Sequence, residues 1–178
     1  MTATVKQISE QDLERLRKAI LRIERKGHKG NWTGPFAELW VLVHDRSLRV
    51  PKELKQNNPF DLFVRGNGAK VEVKARRVGS TDMHYFEGSP RQREVCKWFC
   101  FVLLDRNLRV LAAIRAPKKA MVKAGAFDGK RTARWKLWFG GRKRTRLLEL
   151  LEDPRLLVLK KGSRNPEVWE TRGMRRKR

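Results

Sequence analysis

Apolar positions return every three or four residues near the start of the chain. Leu13, Leu16, Ile20 and Ile23 form one stripe of a helix predicted over residues 9–27, whose opposite face is strongly basic. Ser9 stands where an N-cap belongs, Asp12 takes the third position of a capping box, and Gly27 and Gly30 end the run. A second helix is predicted over 34–45, with Pro35 in its first turn and Phe36, Leu39, Trp40 and Val43 facing inward. From there the period drops to two. A short strand is expected at 48–50, closed by Pro51. A hairpin of 60–64 with 71–75 follows, turning around Gly66, Asn67 and Gly68. Residues 76–90 read as a basic, polar loop, and Ser89-Pro90 opens a short helix containing Arg91, Gln92 and Arg93. A second hairpin, 98–104 with 108–114, turns at 105–107. A short helix over 116–123 places Pro117 in its first turn. Farther on the pattern gives a strand at 135–139, a helix at 144–151 and a strand at 156–160. The chain thus divides into a basic amphipathic helix (1–30), a core (31–117), a basic extension of the same domain (118–163) and a basic tail (164–178).

The 178 residues suffice for one domain, and 40% apolar residues suffice for its core. Charge changes the picture more. Lys and Arg number 43 against 19 Asp and Glu, a formal net charge of +24. After residue 117 there are 20 basic residues and 6 acidic ones. A domain this positive repels itself, and a polyanion such as nucleic acid is the partner that relieves the repulsion. An acidic small-molecule substrate needs only a local patch. No window approaches eighteen consecutive apolar residues, so no membrane span and no membrane partner are expected. The opening MTATVKQISEQDLERL turns charged where a signal peptide keeps its apolar stretch. Cys96 and Cys100 cannot build a disulfide framework, and no Cys/His cluster has zinc spacing. An intracellular, reduced protein is expected, from a prokaryotic cytoplasm or, if viral, from the host cell.

Candidate chemistry lies in the first hairpin. Along 71–75 side chains alternate, so Glu72 and Lys74 project to one side, roughly 7 Å apart, while Val71, Val73 and Ala75 enter the core. Asp61 lies in the partner strand, where the hairpin register brings it level with Glu72 or close to it. Glu38 interrupts the apolar run of the second helix. Carboxylates and a main-chain carbonyl gathered at one end of a small sheet are oxygen ligands for a hard divalent cation, and Mg²⁺ keeps several waters besides. A nearby lysine orients an attacking water and helps deprotonate it, and the metal stabilises charge on a scissile phosphate.

NPFD (58–61) followed by VEVK (71–74) resembles the PD-(D/E)xK nuclease superfamily, whose signature is an Asp on one strand and Glu/Asp-x-Lys on the next. The resemblance spans roughly residues 30–117, with FCFVLLDRNLRVLAAIRAP looking like the later strand pair of that fold. It departs at Pro59, which Phe60 separates from Asp61. It implies an α/β (α+β) fold with a restriction-endonuclease-like core, a central mixed sheet flanked by helices. It implies metal ligation by Glu38, Asp61, Glu72 and the Val73 carbonyl. Glu38 in GPFAELW matches the family's helix glutamate, Lys74 positions the water, and Gln92 in SPRQREV matches a glutamine on the helix after the active-site strands. The activity implied is that of a Mg²⁺-dependent DNA endonuclease, with Mn²⁺ able to substitute, leaving a 5′-phosphate. Its partner would be double-stranded or branched DNA. Arg76, Arg77, Arg91 and Arg93 flank the site as backbone clamps. The order of helix glutamate, Asp and ExK, the small size and the basic charge are similar to archaeal Holliday junction resolvases, whose paired cuts need a homodimer. Restriction and homing endonucleases, which cut specific duplex sites, share the same core.

Plainer readings stand beside these. Glu72 and Lys74 read equally as a solvent-facing pair, Asp61 as a strand-end residue, Glu38 as a salt-bridge partner of Lys74, and Gln92 as a helix-surface residue. A charge among buried residues is costly unless paired or bound to a metal, and this gives weight to the apolar runs that Glu38 and Asp61 interrupt. Trp40 and Trp98 sit in core-like patterns. Trp135 and Trp138, among Arg134, Lys136 and Arg142, suit either packing or stacking on bases. A non-catalytic nucleic-acid-binding protein on a nuclease-like scaffold is the alternative from another class.

Overall fold

The first helix of the computed structural model, α1 (Glu10–Arg25), begins on the expected capping box: the Asp12 N–H donates to Ser9 Oγ and the Ser9 N–H to the Asp12 carboxylate. The structure describes residues 8–28, 30–51, 58–78, 85–127, 133–138 and 157–160. Helix α2 (Thr33–His44) starts one residue earlier than predicted, with no side-chain cap, and buries Phe36, Ala37, Trp40 and Val41. Both helices cover one face of a mixed sheet. Its strands are β1 (Leu48–Arg49), β2 (Leu62–Val64), β3 (Lys70–Arg77), β5 (Trp98–Leu104), β6 (Val110–Pro117) and β8 (Leu157–Lys160), in the order β1-β2-β3-β5-β6-β8. β3 and β5 pair in parallel, and every other neighbouring pair of this sheet is antiparallel. Between β3 and β5 the chain forms β4 (Tyr85–Gly88) and helix α3 (Pro90–Val95). Helix α4 (Lys118–Lys123) follows β6, and β7 (Trp135–Trp138) pairs antiparallel with β4 as a separate two-stranded sheet.

Alternation along β3 and β5 divides the core in two. Val71, Val73, Cys100, Val102 and Leu104 face α1 and α2. Phe99, Phe101 and Leu103 face the other way, onto Phe86, Met121, Phe127, Trp135 and Leu137. β5 is therefore buried on both faces, which explains its unbroken apolar run. The fold is a mixed α/β arrangement with helices against a mixed central sheet.

The expected loop over 76–90 is corrected at both ends. β3 continues through Arg76 and Arg77, and residues 85–88 are β4. The Arg pair reads as solvated from its charge, yet both side chains have partners: the Arg76 Nε–H donates to the Tyr85 carbonyl, and Arg77 bonds Glu24 with two nitrogens. The second hairpin turns over a longer stretch than predicted. Asp105 Oδ1 accepts from the N–H groups of Asn107 and Arg109, and Leu108 takes φ 58° with its side chain buried. Pro117 ends β6 and caps α4 rather than lying in its first turn. Trp40 and Trp135 are buried, and Trp98 packs against the core. Both cysteines are buried and unpaired by disulfide. The helix expected at 144–151 and the tail over 164–178 lie outside the described residues.

Candidate active site

β3 carries the site because its alternation holds. Glu72, Lys74 and Arg76 share the face of Phe99, Phe101 and Leu103, their direct neighbours on β5. Leu62 pairs with Val71 and Phe63 with Lys70, and Asp61, one residue before this ladder, is held against Val71 and Val73. Asp61 sits just before β2, its N–H bonded to the Val71 carbonyl, and Asp61 Oδ2 accepts the Val73 N–H at 2.7 Å. The carbonyl of a strand residue points the same way as its N–H, so the Val73 carbonyl faces this open edge beyond the start of β2. Cys96 helps hold the approach, its Sγ–H donating to the Pro59 carbonyl at 3.2 Å. Glu38, half-buried on α2, lies near enough to Asp61 and Lys74 for charge to be felt across the gap.

Glu72 is 2% exposed and is gripped on one oxygen. Lys74 Nζ lies 2.7 Å from Glu72 Oε1, and Gln92 Nε2 donates to the same atom. The Gln92 amide is oriented by the start of α3. Its Oε1 accepts the Ser89 N–H at 2.7 Å, and the Gln92 backbone N–H donates to Ser89 Oγ, a reciprocal capping box. With the amide oxygen committed, the amide nitrogen is left to face Glu72. Gly88 completes the seat: a Cβ there would lie 2.5 Å from Gln92 Oε1 and 2.3 Å from the ring of the buried Trp135.

Three carboxylates in so little water cannot all ionise freely. Burial, then repulsion from Asp61, pushes Glu72 up to about 8 against the pull of Lys74. Burial and Asp61 push Glu38 up to about 7. Burial also raises Asp61, opposed by the Val73 N–H and by Lys74. The remaining oxygen of Glu72, Oε2, is buried with no hydrogen-bond partner. An acidic cluster with raised affinity for protons and a bare buried oxygen lacks positive charge, and hard oxygen donors suit a divalent cation of the Mg²⁺ class. In this state, however, no three Asp, Glu, His or Cys among the described residues are arranged as a ligand set. Glu72 is turned onto Lys74 and Gln92, and Asp61 onto the Val73 N–H, so any ion competes with those bonds.

The four expected clamps separate. Arg76 shares the face of Lys74 and lies over the Tyr85 ring, 5.9 Å from its centroid. Arg93 lies 5.0 Å over Phe127, and Arg91 is exposed on α3. Arg77 is not brought to the site. It projects from the opposite face of β3 and is tied to Glu24 of α1 at 2.8 and 2.9 Å. The salt bridge of Lys74 forms with Glu72 rather than with Glu38. Sequence reading missed two groups: Lys136, 4.5 Å from the same Tyr85 ring, and Ser89, which orients Gln92. The Ser-x-x-Gln spacing at 89–92 was the available signal for Ser89; the basic run around Trp135 contains Lys136, but nothing local places it at Tyr85. No helix among the described residues is long and apolar enough to cross a membrane. No protein-family model matches the chain, and no curated protein matches it.

Proposed function

We propose that the chain is a metal-dependent DNA endonuclease built on a restriction-endonuclease-like core, acting inside the cell as a homodimer on double-stranded or branched DNA. The observation that carries this reading is the meeting of Glu72, Lys74, Gln92 and Asp61 at the open edge of β3, with Glu38 electrostatically coupled to them. Glu38, Asp61, Glu72 and the Val73 carbonyl are the groups that would hold Mg²⁺ or Mn²⁺. When bound, such an ion supplies charge neutralisation at the scissile phosphate and a more acidic water. Gln92 fixes the direction of Glu72, and the Val73 N–H fixes Asp61. Once Glu72 releases it, the Lys74 amine orients the attacking water and assists loss of its proton. The net charge of +24 supplies attraction to the phosphate backbone.

The test is a cleavage panel with Mg²⁺ and Mn²⁺ over duplex, four-way junction, flap and single-stranded DNA. Lys74→Ala is expected to abolish cutting, by at least about 10³-fold, while leaving binding within a few fold. Robust cutting by that variant refutes the assignment. Preference for the junction over plain duplex marks a resolvase-like enzyme, and cutting at specific duplex sites marks a restriction or homing enzyme. One observation favours a second reading, a non-catalytic nucleic-acid-binding protein: Glu72 is locked by Lys74 and Gln92 and no ligand set is assembled. That reading expects tight, salt-sensitive binding indifferent to Mg²⁺.

A further inference from the structure

A groove of about 400 Å³ lies on the α1 side of the sheet, between α1 and the turn joining β5 to β6. Arg17, Lys18, Arg22, Arg25 and Arg109 line it, with Leu21 and Asn107 completing its wall. Lys18, Arg22 and Arg25 fall at steps of four and three, one stripe about 10 Å long on the helix. Lys18, Arg22, Arg25 and Arg109 are all exposed.

Acidic groups near the groove do not balance these cations. Glu14 pairs with Arg17 at 2.6 Å and lies 3.8 Å from Lys18. The side chains of Arg22, Arg25 and Arg109 make no ion pair or hydrogen bond among the described residues, although the Arg109 N–H donates to Asp105 Oδ1. Arg17 is fixed rather than free: it bonds Glu14 with two nitrogens and donates a third bond to the Asn107 carbonyl, which ties the helix to the turn. Arg17 thus ties the two walls together, while the guanidinium groups of Arg22, Arg25 and Arg109 stay outside any ion pair among the described residues and the charge of Glu14 reaches Arg109. It opens on the face opposite Glu72 and Lys74, beyond the Glu24–Arg77 bridge.

We propose that this groove is a second docking site for the phosphodiester backbone of duplex DNA, separate from the candidate active site. The inference rests on the nucleic-acid partner proposed above, but not on cleavage. A duplex carries one phosphate per strand for about every 3.4 Å of its axis, so a stripe of about 10 Å laid along that axis addresses roughly three of them. The guanidinium groups bond phosphate oxygens as donors. Such contacts hold position and carry no base information.

The test uses the full chain without divalent ions and a fluorescent duplex of about 30 base pairs, its affinity followed from 50 to 300 mM salt. Combined Arg22→Gln, Arg25→Gln and Arg109→Gln should flatten the log–log salt slope by roughly 2 to 3 and weaken binding about 10²-fold near 0.1 M salt. The matching Arg→Lys triple should keep the slope within about one unit, and it stands in if the glutamine triple melts early. A control triple on the far side, Lys97→Gln, Lys119→Gln and Lys123→Gln, should change the slope less. An unchanged slope in the groove triple overturns the proposal. So does an equal loss in the control triple, which makes the attraction diffuse. Loss of tripolyphosphate binding with duplex binding intact also overturns it, leaving a small-anion site. Wild-type cleavage is scored separately. If nothing is cut yet the groove triple loses slope, the nuclease reading fails and this one stands.

Discussion

The raised carboxylates make proton release the sharpest test of the site. At pH 6 Glu38, held at about 7, and Glu72, held at about 8, both carry protons. A divalent ion binds the ionised forms and must expel them. Treated as independent groups, they release about two protons per ion at pH 6, about one between the two values, and almost none above pH 8.5. Integrated over that range, Mg²⁺ affinity rises roughly 10³-fold from pH 6 to 8.5. The sign for stability follows from the same shifts. Across roughly pH 4.5 to 8 the folded chain binds more protons than the unfolded one, so the ion-free protein loses stability as pH rises through this window. The stability is fully present below about 4.5, and Mg²⁺ should restore what is lost near pH 8.5. Titration calorimetry in buffers of different ionisation enthalpy counts the protons directly. Release of fewer than about 0.5 protons per ion at pH 6, or an affinity flat in pH, refutes the argument. Asp61→Asn removes one source of repulsion and should make the pH dependence shallower.

Two further predictions concern the frame. Arg115, 13% exposed, bonds the buried Asp45 carboxylate and Ser47 Oγ, each at 2.7 Å, beneath Trp98. Arg115→Ala removes the cation from that carboxylate, whose Oδ1 keeps the Ser47 N–H and hydroxyl, and should cost about 2 to 4 kcal/mol in denaturant unfolding; a loss under about 1 kcal/mol contradicts this account. Gly88→Ala drives a methyl into the ring of Trp135 and the Gln92 amide, and should cost about 1 to 3 kcal/mol by thermal melting. It should also slow any cleavage, and full activity at wild-type stability would show that neither neighbour is constrained.

What could be read in the chain depended on how local the determining contacts are. The capping box at Ser9 and the alternation of 71–75 involve residues close in sequence, and both are present, with Asp61 held beside that strand by the Val73 N–H. β4 is four residues long with one buried aromatic, and its partner β7 lies about fifty residues on, so no local period marks it. Arg77 could have been placed by parity alone. Counting from Lys74, an odd step crosses the sheet, which removes Arg77 from the site. The charge of the Arg pair hid that count. Ser89 and Gln92 repeat the spacing of Ser9 and Asp12, but reading Gln92 as a family glutamine or a helix-surface residue leaves out its half of the cap. The raised acids could not be read at all, because burial of Glu72 depends on β5 and α3 closing over it.

β3 meets β5 over seven consecutive pairs, from Val71 with Trp98 to Arg77 with Leu104. A slip of one residue would turn the strand over, putting valine where Glu72 and Lys74 stand and glutamate under the helices. The long parallel zipper thus decides which half of the strand faces the acidic cluster and which half anchors against the helices. Mutations that loosen β5 should scatter the cluster of Glu72, Lys74 and Gln92 before they unfold the chain.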